Sequence, residues 1–123
     1  MTVLYAVSPG RVARFYEALA GVKRVEPSEG YVLLEIDGHE LVIVRTTAEF
    51  AAAIELSDPP LPREDAPIKL TFSVESIAAT RAAVAGTGGE IYPSDHEWEF
   101  RSLVVCDGVD PEGNVIQVRQ SVG

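Results

Sequence analysis

Few side chains in this chain could do chemistry on a small molecule. By type and placement on strand-like segments they are Glu40, Lys69 and Gln117, with Arg119 two positions further on. A carboxylate and an ammonium can exchange a proton with a substrate once burial has moved their pKa values, so Glu40 and Lys69 are a candidate acid and base pair. Facing each other at an open sheet mouth, they would instead be a weak surface ion pair. Gln117 offers a neutral amide oxygen, which by itself holds a divalent ion poorly. His39 lies in the tight turn Asp37-Gly38-His39 beside Glu40, and His96 in the polar run Ser94-Asp95-His96-Glu97. Neither has a partner at a spacing such as H-x-x-x-H, so both read as solvated loop residues, and Asp95, Glu97 and Glu99 as a charged loop. Cys106 ends the apolar run Leu103-Val104-Val105-Cys106 with no base beside it, which suits a small buried hydrophobe better than a nucleophile.

Charge narrows the partners. The 123 residues carry 19 acidic and 10 basic side chains, a formal charge of −9, so a phosphate backbone would be repelled over most of the surface and no nucleic acid partner is expected. A cationic small molecule would be attracted, although solubility alone also accounts for such a charge. No apolar run reaches the length of a membrane span, and the first residues lack the basic and apolar regions of a signal peptide, so the expected setting is the cytoplasm, without a membrane. A hydrophobic content of 46% in this length builds one modest core and one domain.

The elements that must position these residues come in a repeat. Residues 4–7 read as a strand leading into a helix that has Ser8 as its candidate N-cap, Pro9 in its first turn and Gly21 as its stop. Residues 68–74 and 75–86 repeat the strand and helix, again closing on Ala-Gly. Strand candidates follow each helix: 22–25, 31–36 and 40–44, then 90–92, 101–106 and 115–119. The turn Asp37-Gly38-His39 answers to Asp110-Pro111-Glu112-Gly113-Asn114. Two βαβββ modules result, residues 1–46 and 68–123. The segment 47–67 joins them, with a short helix candidate at 48–56 and then Pro59, Pro60 and Pro62, which no sheet interior would accept. The fold class is α+β.

Phe15-Tyr16-Glu17-Ala18-Leu19-Ala20-Gly21 and Asp110-Pro111-Glu112-Gly113-Asn114-Val115-Ile116, set in this repeat, resemble the first helix and the closing turn and strand of the vicinal oxygen chelate superfamily. That superfamily includes glyoxalase I, the bleomycin-resistance proteins and the extradiol dioxygenases. The resemblance covers nearly the whole chain. It implies a curved, partly open sheet around a pocket, commonly built with a second subunit, and hence a homodimer. Metal-using members place ligands at four strand positions, which the resemblance maps onto Thr2, Val42, Lys69 and Gln117, each within a residue. None of these is a histidine or carboxylate, and where a related metalloenzyme would carry a carboxylate this chain has Gln117. A lysine ammonium has no lone pair to give, so no metal and no cofactor are expected.

Period-two reading sends Ile68, Leu70, Phe72 and Val74 toward the helix and Lys69, Thr71 and Ser73 toward the cavity. The same cavity face continues through Leu4 and Ala6, then Glu40, Val42 and Val44, then Val115, Gln117 and Arg119. Tyr92, Trp98 and Phe100 flank a loop of the second module, where they either stack over the pocket to meet a planar or cationic ligand or pack beneath the loop. The ligand-contacting set is therefore Glu40, Val42, Lys69, Thr71, Trp98, Phe100, Gln117 and Arg119, with no catalytic residue assigned. The expected function is metal-independent binding and sequestration of a small molecule, cationic or aromatic. The alternatives are a lyase, isomerase or dioxygenase with an atypical site, or an interaction domain on the same scaffold.

Overall fold

A computed structural model describes residues 1–27, 30–53, 56 and 58–122, with three α-helices and nine strands among them. The first half is β1 (Thr2–Ala6), α1 (Pro9–Ala20), β2 (Arg24–Pro27), β3 (Tyr31–Ile36) and β4 (His39–Arg45). After α2 (Ala48–Ala53) come β5 (Leu70–Ser73), α3 (Ile77–Ala83), β6 (Glu90–Ile91), β7 (Trp98–Phe100), β8 (Leu103–Val109) and β9 (Val115–Ser121). The strands form two sheets: sheet A in the order β1-β4-β3-β2, and sheet B in the order β5-β9-β8-β6 with β7 also on β8. In each sheet the first and last strands of the half run parallel and adjacent, β1 on β4 and β5 on β9. The two βαβββ modules thus stand as the repeat implies.

Several boundaries shift. The strand expected at 68–74 is Leu70–Ser73, and Ile68 lies outside it, 79% exposed. β8 runs to Val109, three residues past the expected end at Cys106, and Trp98–Phe100 is an added strand rather than loop. α3 starts at Ile77 because Ser76 caps it, its Oγ accepting from the Ala79 N–H at 3.1 Å. α2 covers Ala48–Ala53 of the expected 48–56; residues 54 and 55 fall outside the described set.

The turns follow from their residues. Asp37 and Gly38 both take positive φ, 51° and 78°, and Ile36 pairs with His39, giving the two-residue hairpin turn whose twist suits β3 and β4. Helix α1 stops at Gly21, left-handed at φ 68°. Its start departs from expectation, since Ser8 makes no side-chain cap and the orphan N–H groups of Val7 and Ser8 are met by Glu112, each at 2.8 Å.

One core serves both modules. α1 buries Val12, Ala13, Phe15, Tyr16 and Leu19, and this stripe meets Val32, Leu34, Leu41 and Ile43 of sheet A and Ile116 and Val118 of sheet B. Phe15 and Tyr16 meet edge-on at 5.0 Å, and Tyr16 reaches Phe72 at 5.7 Å. The Tyr16 hydroxyl donates to Asp110 Oδ2 at 2.7 Å. That buried carboxylate also accepts from the backbone N–H groups of Glu112 and Asn114 and from Asn114 Nδ2. The DPEGN segment is therefore a turn and also the joint between modules.

Candidate functional site

Each sheet keeps one face free of helix, and the alternation of its strands decides what that face shows. On sheet B, Thr71 of β5 lies beside Gln117 of β9, and Gln117 lies opposite Asp107 of β8. One row along, Ser73 lies beside Arg119, Arg119 opposite Val105, and Val105 opposite Trp98 of β7. Residues paired in this way share a face. Lys69, at the entry to β5, closes the first row. Its Nζ donates to Asp107 Oδ2 at 2.8 Å, Gln117 Nε2 donates to Asp107 Oδ1 at 3.2 Å, and Arg119 Nε donates to Gln117 Oε1 at 3.0 Å. The result is a continuous polar chain across three strands, with Gln117 at its centre only 8% exposed.

Asp107 is the residue the sequence reading missed. Its signal was a single carboxylate in the strand Leu103-Val104-Val105-Cys106-Asp107-Gly108-Val109, in phase with Val105 and so on the face of Gln117. With it in place, the expected pairing of Lys69 with Glu40 is corrected: the lysine belongs to Asp107, because the two approach on the same face of sheet B. Glu40 stands on the helix-free face of sheet A, opposite Glu35. No proton-transfer pair of Glu40 and Lys69 forms.

Sheet A needs a second correction. Leu4 and Ala6 turn toward the core, where Ala6 is 2% exposed, because they stand in register with Ile43 and Arg45, in phase with the buried Leu41. The helix-free face instead shows Val3 and Tyr5, 51% and 67% exposed, in register with Val42 and Val44. A shallow depression of about 450 Å³ on this face is lined by Met1, Gly30, Tyr31, Leu33, Val42 and Val44. A separate cleft of about 410 Å³ runs between the β3–β4 turn and β5, with Thr2, Asp37, His39 and Leu41 on one wall and Lys69 to Ser73 on the other. The site residues on β5 and β9 are thus brought together, whereas Glu40 and Val42 are on the other sheet. His39 is no loose loop residue: it opens β4, and its Nε2 lies 2.7 Å from Thr2 Oγ1.

The aromatic residues do not form one stack. Tyr92 meets the His96 ring at 5.7 Å, while Trp98 and Phe100 share a face of β7, 44% and 43% exposed. Arg81 ties the intervening loop to α3, donating to the Tyr92 carbonyl at 2.8 Å and to Glu97 at 2.6 Å, so Glu97 is an anchor within the acidic run. Cys106 is buried, and burial pushes its thiol above its ordinary pKa against the opposing pull of Arg81, which leaves it a poor nucleophile.

A metal fits these residues badly. Val3 lies beside Val42 as Thr71 lies beside Gln117, so the counterpart of Lys69, two residues before Thr71, is Met1 and not Thr2. The family's ligand positions therefore hold a thioether, a hydrocarbon, an ammonium and an amide. Asp107 is the carboxylate within reach, and both of its oxygens already accept hydrogen bonds. Among the described residues no group of three or more His, Cys, Asp or Glu is placed to hold an ion.

Known proteins agree with this architecture. The sequence profile of the glyoxalase-like domain matches residues 1–119. Among solved structures, a glyoxalase/bleomycin resistance protein/dioxygenase family enzyme from Burkholderia phytofirmans is similar at a TM-score of 0.70 and 16% identity, over 98% of this chain and 96% of that one. A glyoxalase/bleomycin resistance protein from Albidiferax ferrireducens gives 0.66 at 19% identity, over 97% and 94%. The fosfomycin resistance protein FosX of Listeria monocytogenes, solved as an E126Q mutant with Mn(II) and 1S,2S-dihydroxypropylphosphonic acid, gives 0.67 at 11%, over 98% and 87%. At these identities the likeness is one of fold. No curated protein matches the chain. Profile, module order and sheet topology agree, and the chain belongs to the glyoxalase-like domain family.

Proposed function

We propose that this protein binds and sequesters a small molecule without a metal or cofactor, in the manner of the bleomycin-resistance branch of its family. The observation that carries this reading is Lys69: it stands where a metal ligand would be required, and it is spent on Asp107. A positive charge at that point opposes a divalent cation, and the amide of Gln117 is already engaged with Asp107 and Arg119. Lys69, Thr71, Gln117 and Arg119 then orient the ligand, while Trp98 and Phe100 supply apolar contact.

A homodimer belongs to the same proposal. Val3 and Tyr5 leave the open face of sheet A apolar and uncovered, which supports a second copy covering it and bringing Glu40 and Val42 into the site. We place the protein in the cytoplasm, binding neither nucleic acid nor membrane. Its net charge supports the first exclusion, and no helix among the described residues is long and apolar enough to cross a bilayer.

The test combines elemental analysis with a thermal-shift screen of aromatic acids, amines and neutral aromatics, run with and without a chelator. Stabilisation by at least one compound, undiminished by chelator and with no stoichiometric ion, is the expected result. A bound ion whose removal abolishes binding or turnover would overturn the proposal in favour of a lyase, isomerase or dioxygenase.

A further inference from the structure

The central strands of the open face of sheet B carry charge opposite in sign to that of the chain as a whole, with Glu90 of the outer strand β6 as the other carboxylate of that face. The polar chain there contains Lys69, Asp107, Gln117 and Arg119, two cations against one anion, within a protein of formal charge −9. Lys69 is paired with Asp107, whereas Arg119 spends only its Nε–H, and on a neutral amide oxygen. Its terminal nitrogens are donors without a carboxylate partner among the described contacts. Gln117, 8% exposed and held at both ends, fixes the direction of that guanidinium. Ser73 lies beside Arg119 in register, and on the other side stand Val105 and then Trp98, 44% exposed.

We infer that this row selects a small organic carboxylate with a flat apolar body, its head on Arg119 and Ser73 and its body lying across Val105 toward Trp98. A guanidinium presents paired N–H groups that match the two oxygens of a carboxylate. A cationic ligand, attractive on net charge alone, would meet the uncompensated Arg119 at close range, where local charge outweighs the screened field of the distant surface. The row offers one excess positive charge. A phosphate ester, nearly dianionic at neutral pH, would bring a second negative charge toward Asp107 and an acidic surface.

The inference rests on the ligand site proposed above, and one experiment separates the two. The chain has a single tryptophan, so quenching of Trp98 fluorescence reads binding at this row directly. Four probes are titrated in a chelator: 2-naphthoate, 2-naphthylmethylammonium, 2-naphthylmethanol and 2-naphthyl phosphate. Naphthoate is expected to bind about tenfold or more tightly than the other three, and Arg119→Gln to lose about that factor, as for a charge-assisted hydrogen bond. Arg119→Lys should restore part of the loss. Ser73→Ala, at an exposed position outside the core, should weaken naphthoate alone and keeps the test open if Arg119→Gln does not fold. Tighter binding of the ammonium or the phosphate, or an unchanged naphthoate affinity in the Arg119 variants, would overturn the carboxylate assignment and leave the binding site standing. Failure of all four probes would remove both.

Discussion

Glu112 accepts one hydrogen bond on each carboxylate oxygen, from the backbone N–H groups of Val7 and Ser8, at 2.8 Å each. A side chain in the closing turn of the second module thereby caps the first helix of the first, across more than a hundred residues. Glu112 is 4% exposed, so removing its carboxylate strands two partly buried donors at the approach to the helix. Glu112→Ala is expected to destabilise the protein by about 1–3 kcal/mol, and Glu112→Gln, which keeps one acceptor, by less. Urea denaturation of the three proteins measures this order, and equal loss in both variants would count against the cap.

Tyr16 and Asp110 make the second joint. Burial first, and then the neighbouring Asp110, hold the Tyr16 hydroxyl well above its ordinary pKa. The folded protein thus binds this proton more tightly than the unfolded chain does. The associated stability is complete below the unfolded pKa of about 10 and drains away as the pH rises beyond it. Tyr16→Phe should cost about 1–3 kcal/mol near neutrality, by leaving a buried carboxylate short of a donor. Above about pH 10 the gap between the two proteins should narrow. A gap that stays constant across a pH series of denaturation midpoints would refute this account.

The parts of this structure that could be read in advance are those where a local pattern has a definite phase. Gly21, the Asp37-Gly38 turn and the alternation of Lys69, Thr71 and Ser73 against Leu70 and Phe72 are of that kind. In β1, by contrast, Val3, Leu4, Tyr5 and Ala6 are all apolar, so alternation cannot say which pair faces the core, and the wrong pair was expected there. Asp107 escaped notice because an aspartate usually ends a strand, and the ladder with β9, which runs on to Val109, carries β8 through it. The Glu112 cap lies beyond any local rule, since its donors belong to the other module.

Restoring donors should restore a metal. Lys69 and Gln117 both reach Asp107, at 2.8 and 3.2 Å, so the three side chains already converge. The double variant Lys69→His, Gln117→Glu places an imidazole and a carboxylate beside Asp107, a donor set suited to zinc or manganese. It is expected to bind a divalent ion with a measurable rise in melting temperature that chelator reverses, while the parent shows neither. Calorimetry with zinc and manganese checks both proteins. A comparable affinity in the parent would mean that its own donors suffice and that the lysine is no obstacle.

The open face of sheet A provides the last test. Val3 and Tyr5 stand out from it, with Met1 exposed at its margin and Val42 and Val44 beside them in register, so the face joins several apolar side chains that no helix covers. Burying it against a second copy would remove apolar surface at about 25 cal/mol per Å², whereas a charge placed there would have to be desolvated on association. Tyr5→Glu should therefore weaken the proposed dimer about a hundredfold or more, as loss of an interface aromatic does. Leu61→Ser, which alters an exposed apolar side chain in the linker, should leave association unchanged. Sedimentation velocity over a concentration series measures both. A parent that stays monomeric at high concentration would rule out a second copy as the cover of this face, and would remove Glu40 and Val42 from the ligand site, since both stand on that face.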